Sequence, residues 1–293
     1  MKLTIVYITA RDEPEIGWCL DSLRPQMNRP VRFLPISYKM VGQPGMKAFP
    51  PKPNVWHGPH RLTKADWWAA SNARNTGICL CKTEWIAFLD DRCVLAPTWM
   101  AAIDDAIKGN YCVCGPYQKR HGMTVENGVI KHGGIIDGDD NRLAIVKQHW
   151  GKLSNPYAAP PEWTYGCTIA LPLEWALAVN GFEELCDGMR YEDVFFGMML
   201  ANSGFPIKYD TRFGVVQDRT PGKCGPMLRG GDKGESPNDK SHKILEMVRS
   251  AKRTLHQWDL RQVRADVLAG KPFPIPTGPT TDWYDGQPLS EMV

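Results

Sequence analysis

The stretch that most constrains the fold is an apolar segment, Trp85 to Leu89, which is followed at once by two adjacent carboxylates, Asp90 and Asp91. The segment predicts a buried strand, and Pro97 begins a helix shortly after it. Ligands of open α/β sheets bind at the carboxyl ends of the strands, so this turn lies where a ligand would bind. Two carboxylates there suit a hard divalent cation, which takes oxygen ligands and shares them with phosphates. The alternative is that the pair only favours a turn and caps the next helix.

The first half of the chain alternates between short apolar runs and helical segments. This alternation predicts an α/β fold with a central, mostly parallel sheet flanked by helices. A Pro- and Gly-rich loop at residues 41–59 interrupts the alternation. The predicted strands are residues 3–8, 31–37, 85–89 and 111–115, and the predicted helices are residues 14–23, residues 66–78 and a segment after Pro97.

The pattern changes after residue 115, where Asn127-Gly128 between two β-prone runs predicts a hairpin. We divide the chain into residues 1–115, residues 116–217 and a last part, residues 218–293, with a Gly-rich loop, helices and a Pro-rich tail. The remaining predicted elements are strands at residues 143–149 and 163–171, one or two strands in residues 208–216, helices at residues 173–179 and 192–202, and one or two helices in residues 238–269.

The composition indicates the class of protein and the cellular compartment in which it is expected. The chain has 293 residues, of which 43% are hydrophobic and 23% charged, as in an ordinary globular protein. No apolar run reaches the roughly 18 residues of a membrane span, and the N-terminus lacks signal-peptide features. We therefore expect no membrane partner and a cytoplasmic location. Nine cysteines, an odd number without zinc-site spacing, predict buried free thiols.

Four stretches of the sequence place polar residues at the ends of predicted strands and helices. They are residues 9–14 (Thr-Ala-Arg-Asp-Glu-Pro), 73–78 (Ala-Arg-Asn-Thr-Gly-Ile), 88–93 (Phe-Leu-Asp-Asp-Arg-Cys), and 180–184 (Asn-Gly-Phe-Glu-Glu) followed by 191–197 (Tyr-Glu-Asp-Val-Phe-Phe-Gly). Together and in this order they resemble the family 2-like glycosyltransferases of the GT-A fold. The resemblance covers roughly residues 2–217 and implies a GT-A (Rossmann-like) fold with a C-terminal helical extension. Residues 1–115 would bind the nucleotide sugar and residues 116–217 the acceptor.

The resemblance also implies which residues bind the donor. It assigns Asp90 to the ribose side of a nucleotide sugar and Asp91 to a divalent ion, Mn²⁺ or Mg²⁺. Such an ion bridges the diphosphate and acts as a Lewis acid. For Arg74 the alternative is an ordinary arginine on a helix surface. The other nucleotide-sugar-binding residues implied by the resemblance are Thr9, Arg11, Glu13, Arg74 and Arg92.

Asp193, preceded by Glu192, matches the family's Glu-Asp motif, in which a carboxylate takes the proton from the acceptor hydroxyl. In the family the hydroxyl then attacks the anomeric carbon in line, with inversion. Both acids begin a predicted helix, whose free N–H groups stabilise a carboxylate and keep it ionised. The alternative is that acidic residues are simply favoured in a first helical turn.

Three positions depart from the family pattern. Arg92 stands where many relatives have a third acidic residue, so it either weakens metal binding or helps to neutralise the diphosphate. The second strand, with its continuation to residue 38, lacks the aspartate that binds uracil in relatives. Gln217 stands where relatives have a histidine metal ligand, a role that His242 could take instead.

The resemblance therefore implies a metal-dependent, inverting glycosyltransferase, with a UDP-sugar as the preferred donor. Residues 222–234 either close over the donor diphosphate or form a disordered surface loop. The acceptor stays open between a saccharide or protein and modified DNA, such as hydroxymethylated pyrimidines of a phage genome in the host cytoplasm. A surplus of basic residues favours DNA, since twelve Lys and Arg face seven Asp and Glu in residues 217–271. The alternative from another class is a nucleotide- or carbohydrate-binding module that kept the fold without catalysis.

Overall fold

The structure is a computed structural model, and it describes most of the chain. Residues 222–234 and His242 lie outside the described residues, and so does the predicted helix start at residues 66–68. The described residues are 2–11, 13–37, 40–41, 47–53, 69–136, 140–150, 156–187, 191–220, 249–254 and 259–274.

The described part of the chain contains both strands and helices, and they alternate most regularly up to β5. The strands are β1 (Leu3–Ile8), β2 (Val31–Ile36), β3 (Trp85–Asp90), β4 (Cys93–Leu95), β5 (Cys112–Cys114), β6 (Tyr117–Glu126), β7 (Val129–Ile135), β8 (Tyr157–Ala158), β9 (Ile169–Pro172), β10 (Ile207–Tyr209) and β11 (Val215–Asp218). The helices are α1 (Ile16–Leu23), α2 (Ala70–Leu80), α3 (Trp99–Gly109), α4 (Asn141–Trp150), α5 (Leu173–Ala178), α6 (Glu192–Asn202) and α7 (Leu260–Leu268).

The larger sheet has seven strands in the order β2-β1-β3-β9-β5-β10-β8. Strand β1 is parallel to β2 and β3, and β5 is parallel to β10. Strand β9 runs antiparallel between β3 and β5, and β8 is antiparallel at the edge. Five of the seven strands therefore share one direction, which confirms the predicted α/β fold with a mostly parallel central sheet.

Both faces of this sheet are covered, which explains the continuous apolar run of β1. Val6 and Ile8 pack into a core with residues of α2, α5, α6 and α7. Leu3, Ile5 and Tyr7 point to the other face and pack with residues of α1 and α3. Helix α7 is thus part of the core, as the predicted C-terminal helical extension requires.

Helix α2 approaches the sheet closely because of a glycine. A Cβ atom at Gly77 would lie 2.4 Å from Cγ1 of Val6, so a larger side chain there would push the helix away from β1. The first turn of α2 is capped by a buried carboxylate from a distant part of the chain. Asp187 accepts hydrogen bonds from the backbone N–H groups of Ser71 (2.7 Å) and Asn72 (3.1 Å). These contacts set the position of α2 relative to the strand ends.

Two predicted strands were wrong in the second half of the chain. Residues 143–149 belong to helix α4, because Asp140 accepts from the backbone N–H of Arg142 (2.9 Å) and caps the first turn. This cap and the burial of Val146 outweigh the β-branched composition of the segment. The strand predicted at residues 163–171 begins only at Ile169, because a turn closes from Thr168 N–H to Tyr165 C=O (2.8 Å).

The smaller sheet has four strands in the order β4-β11-β6-β7, and its last two strands form the predicted hairpin. Asn127 (φ 50°) and Gly128 (φ 73°) both adopt the left-handed conformation that a tight hairpin turn requires. A Cβ atom at Gly128 would lie 2.3 Å from the backbone nitrogen of Ser22. The tip of the hairpin therefore rests against the end of α1.

The eight cysteines in the described residues are all free and buried, as the sequence predicts. The ninth, Cys224, lies outside the described residues. Among the helices that the structure describes, none is long and apolar enough to cross a membrane.

Candidate active site

The carboxylate pair lies at the carboxyl end of β3, beside the end of the neighbouring parallel strand. Ile8 of β1 pairs with Asp90, so the residues after Ile8 come next to Asp91. Thr9 Oγ1 donates to Asp91 Oδ2 (2.6 Å), and Arg11 Nε lies 2.9 Å from the same oxygen. Two of the four motif stretches are thus joined by direct bonds to one carboxylate.

Burial dominates the electrostatics of Asp91, which is 5% exposed. It raises the pKa of this carboxyl to about 6, although Arg11 and Thr9 lower it. The second carboxylate oxygen, Oδ1, lies 3.5 Å from Gln217 Nε2, which is a long contact. Asp91 is therefore a buried carboxylate whose ionised form a further positive charge would stabilise.

Arg74 connects the end of β3 with the start of α6. Its Nη2 donates to Asp90 Oδ1 and its Nη1 donates to Glu192 Oε1, both at 2.9 Å. The guanidinium is buried: its Cζ lies 5.2 Å from the ring centroid of Phe182, and a Cβ atom at Gly166 would lie 2.3 Å from Cζ. The alternative that Arg74 is an ordinary surface arginine is therefore wrong.

Asp193 is held by backbone donors at the first turn of α6. Its Oδ2 accepts from the N–H of Gly166 (3.0 Å) and its Oδ1 accepts from the N–H of Val194 (2.9 Å). Burial, followed by the neighbouring charge of Glu192, nevertheless raises the pKa of Asp193 to about 6. The backbone N–H groups lower the pKa, as the position at a helix start predicts, but desolvation outweighs them.

Arg92 uses its guanidinium for a contact that the sequence does not indicate. Its Nη2 (2.6 Å) and Nε (3.0 Å) donate to Asp218 Oδ2, and its Nη1 donates to the backbone oxygen of Glu13 (3.0 Å). Arg92 also has a positive φ of 52° and its side chain lies over the ring of Trp18. It braces the chain between β3 and β4 against β11. The Glu13 side chain, in contrast, is exposed on the loop after β1.

Sequence reasoning missed the polar residues that support this cluster from the small sheet. Gln217 Nε2 donates to the backbone oxygen of Asp91 (2.9 Å), and its Oε1 accepts from the hydroxyl of Tyr117. From the sequence, Gln217 was noted only because it stands where relatives have a histidine, and nothing in the sequence indicated a role for Tyr117. Both are found only once β11 lies beside β6.

The second and fourth motif stretches meet through an amide side chain. Asn75 Nδ2 donates to the backbone oxygen of Phe182, and its Oδ1 accepts from the backbone N–H of Phe182, both at 2.8 Å. Asn75 also donates to Glu184, which is paired with the buried Lys52. This network holds α2, and with it Arg74, against the segment that leads to α6.

Asp90 and Asp91 could bind a divalent cation only together with ligands from outside the protein. Asp91 offers the oxygen Oδ1, and the side chain of Asp90 is partly exposed beside it. Among the described residues, no group of three His, Cys, Asp or Glu side chains could hold a metal ion by itself. The buried carboxylate with a raised pKa suits a cation, and the remaining ligands would come from donor phosphates and water.

Comparisons with known proteins place this geometry in a known fold. No protein-family model and no curated protein matches the chain. Among solved structures it is similar to S. aureus TarS 1-349, with a TM-score of 0.52, 12% identity and coverage of 92% of this chain and 71% of that chain. It is also similar to GalNAc-T7 solved with UDP, GalNAc and Mn²⁺, with a TM-score of 0.55, 13% identity and coverage of 93% and 59%.

Both similar structures are GT-A glycosyltransferases. The chain has the GT-A fold. It spans only 59% of the length of the GalNAc-T7 chain. In this GT-A chain, Arg74 joins the carboxylates at the end of β3 to those at the start of α6 in one buried cluster.

Proposed function

We propose that the protein is a glycosyltransferase that moves a sugar from a nucleotide-sugar donor to an acceptor hydroxyl. The observation that carries this proposal is the double ion pair of Arg74 with Asp90 and Glu192. It joins Asp90, which lies beside Asp91 at the end of β3, to Glu192, which directly precedes the partly buried Asp193. The GT-A fold supports the same activity.

The proposed reaction is a single displacement with inversion. Asp193, ionised and held by two backbone N–H groups, accepts the proton of the acceptor hydroxyl. The hydroxyl oxygen forms a bond to the anomeric carbon while the bond from that carbon to the diphosphate oxygen breaks. The nucleoside diphosphate leaves with the bonding electron pair. Arg74 keeps Asp90 and Glu192 in place during this step and balances their charge.

In this proposal Asp91, with Asp90 beside it, holds a divalent cation, Mn²⁺ or Mg²⁺. When bound, the cation would neutralise the diphosphate and make it a better leaving group. Thr9 and Arg11 fix the Asp91 carboxylate so that Oδ1 stays available. GalNAc-T7 was solved with Mn²⁺, which supports a cation in this fold. His242 as an additional ligand remains a prediction outside the described residues.

A UDP-sugar is the proposed donor, since UDP is the nucleotide in the GalNAc-T7 structure. The test is thermal unfolding with Mn²⁺ or Mg²⁺ and a panel of UDP-, GDP-, TDP- and CMP-sugars. A donor at about 100 times its dissociation constant is expected to stabilise the protein by about 2.7 kcal/mol. The shift should require the metal and disappear in Asp91→Asn. Stabilisation by oligosaccharide or DNA without any response to nucleotide sugars would instead support a non-catalytic binding module.

For the acceptor we propose hydroxymethylated pyrimidines in DNA, with a saccharide or protein hydroxyl as the competing class. The basic surplus in residues 217–271 supports DNA. Phosphate contacts make binding depend steeply on salt. Glycosylation of modified DNA should therefore fall sharply between low and physiological salt, whereas transfer to an oligosaccharide should change little.

The pH dependence of turnover follows from the environment of Asp193. Its carboxyl must be ionised to accept a proton, and burial raises its pKa to about 6. We expect kcat, measured with saturating donor, to fall about tenfold per pH unit below that value because the protonated base is inactive. If the base were an ordinary aspartate, with a pKa of about 4, the enzyme would stay active down to a pH about two units lower. A plateau that extends to that lower pH would contradict the assignment of Asp193.

A further inference from the structure

Two basic residues lie on the small sheet beside Gln217. In the parallel pair of β6 and β11, Lys119 is the partner of Gln217, so both side chains project from the same face. Tyr117, two residues earlier on β6, shares that face, and its hydroxyl donates to Gln217. The Nζ of Lys119 lies 5.9 Å from the ring centroid of Tyr117. Arg219 follows two residues after Gln217, and its backbone N–H continues the ladder to Arg120 C=O (2.6 Å).

This face lies next to the strand-end carboxylates. Gln217 reaches across to the backbone oxygen of Asp91 (2.9 Å). Burial and nearby acidic groups, which include Asp90 and Asp91, raise the pKa of the Tyr117 hydroxyl well above its usual range, whereas Arg219 lowers it. Both carboxylates and the guanidinium of Arg219 therefore act on the same hydroxyl. Through Gln217, the polar face of the small sheet is joined to the end of β3.

A diphosphate near Asp90 and Asp91 needs more positive charge than the motif arginines supply. The chain lacks the family's histidine at Gln217, and the position of the third acid is an arginine. The three arginines of the motif stretches are each engaged in an ion pair with a carboxylate of the protein. These pairs are Arg11 with Asp91, Arg74 with Asp90 and Glu192, and Arg92 with Asp218.

We propose that Tyr117, Lys119 and Arg219 form the wall that binds the diphosphate of the donor and stabilises the nucleoside diphosphate as it leaves. Ammonium and guanidinium groups make strong charge-assisted hydrogen bonds to phosphate oxygens. Hydrogen-bond donors placed where negative charge develops on the leaving group stabilise the transition state more than the ground state. The inference rests on the proposed function, and it places the positive charge on Lys119, the partner of Gln217 in β6, and on Arg219, which directly follows β11.

The test compares the affinities for UDP and for uridine by titration calorimetry, with GDP, TDP and CDP as further probes. Lys119→Gln and Arg219→Gln are each expected to weaken binding of the preferred nucleoside diphosphate roughly tenfold, the loss of one charge-assisted bond. Binding of the matching nucleoside should change less than about twofold, since it lacks the diphosphate. Lys119→Arg should restore most of the affinity.

Lys131→Gln is the matched control, because Lys131 lies on β7 of the same hairpin and its exposed side chain is 3.9 Å from Glu126. It should leave both affinities unchanged. Unfolding temperatures of all variants within a few degrees of the parent would show that the fold is intact. Equal weakening of nucleoside and diphosphate binding, or no weakening in either Gln variant, would overturn the inference while leaving the proposed function in place. A parent protein that binds no nucleoside diphosphate would overturn both.

Discussion

Asp193→Asn is expected to lower kcat by about 10²–10⁴-fold, the usual contribution of a positioned general base. Asparagine has the same shape, and it can still accept a hydrogen bond from the N–H of Gly166 or Val194. The variant should therefore fold and bind donor with an affinity close to that of the parent. The measurement is a full kinetic analysis, in which kcat falls while the dissociation constant of the donor stays within about threefold.

Glu162→Gln is a suitable control for Asp193→Asn. Glu162 is exposed on the short 3-10 turn before β9. The substitution therefore removes a surface carboxylate without changing the carboxylates around Arg74. Its kcat should stay close to that of the parent. A kcat of Asp193→Asn equal to that of the parent would show that Asp193 is not the catalytic base, even if nucleotide sugars still bind. A pH profile of the residual activity without the inflection near pH 6 would support the assignment.

Arg74→Met is expected to lower the free energy of unfolding by about 3–5 kcal/mol, as when one partner of a buried ion pair is removed. The side chain of Arg74 is 3% exposed and pairs with carboxylates that are 23% (Asp90) and 16% (Glu192) exposed. Methionine fills a similar volume but leaves both carboxylates without their shared cation. Chemical denaturation at neutral pH measures the change.

The control for Arg74→Met is Arg261→Met, which removes an exposed pair with Glu174 (2.7 Å). Such pairs contribute about 0–1 kcal/mol, so the control should unfold almost like the parent. Equal effects of the two substitutions would show that the buried bridge does not organise the cluster.

Local patterns were sufficient for most of the main sheet and for part of the site. The strand at Leu3–Ile8 and the helix at Glu192–Asn202 have the predicted boundaries, because buried apolar runs and helix ends leave strong local signals. Thr9 and Arg11 meet Asp91 as expected, since the ends of adjacent parallel strands lie at one edge. Helix α4 was mispredicted because a cap and the burial of one face outweighed β-branched composition.

The sequence by itself determined the alternation of strands and helices in the first half of the chain and which carboxylates stand at the end of β3 and the start of α6. Only the tertiary structure decided how the charges pair: Arg74 with Asp90 and Glu192, and Arg92 with Asp218. It also decided that Asp91 and Asp193 are buried enough for their pKa values to rise to about 6. The physical reason is that pairing and desolvation depend on groups that are distant in the chain, such as Arg74 and Glu192, 118 residues apart, and Arg92 and Asp218, 126 residues apart, which no local pattern records.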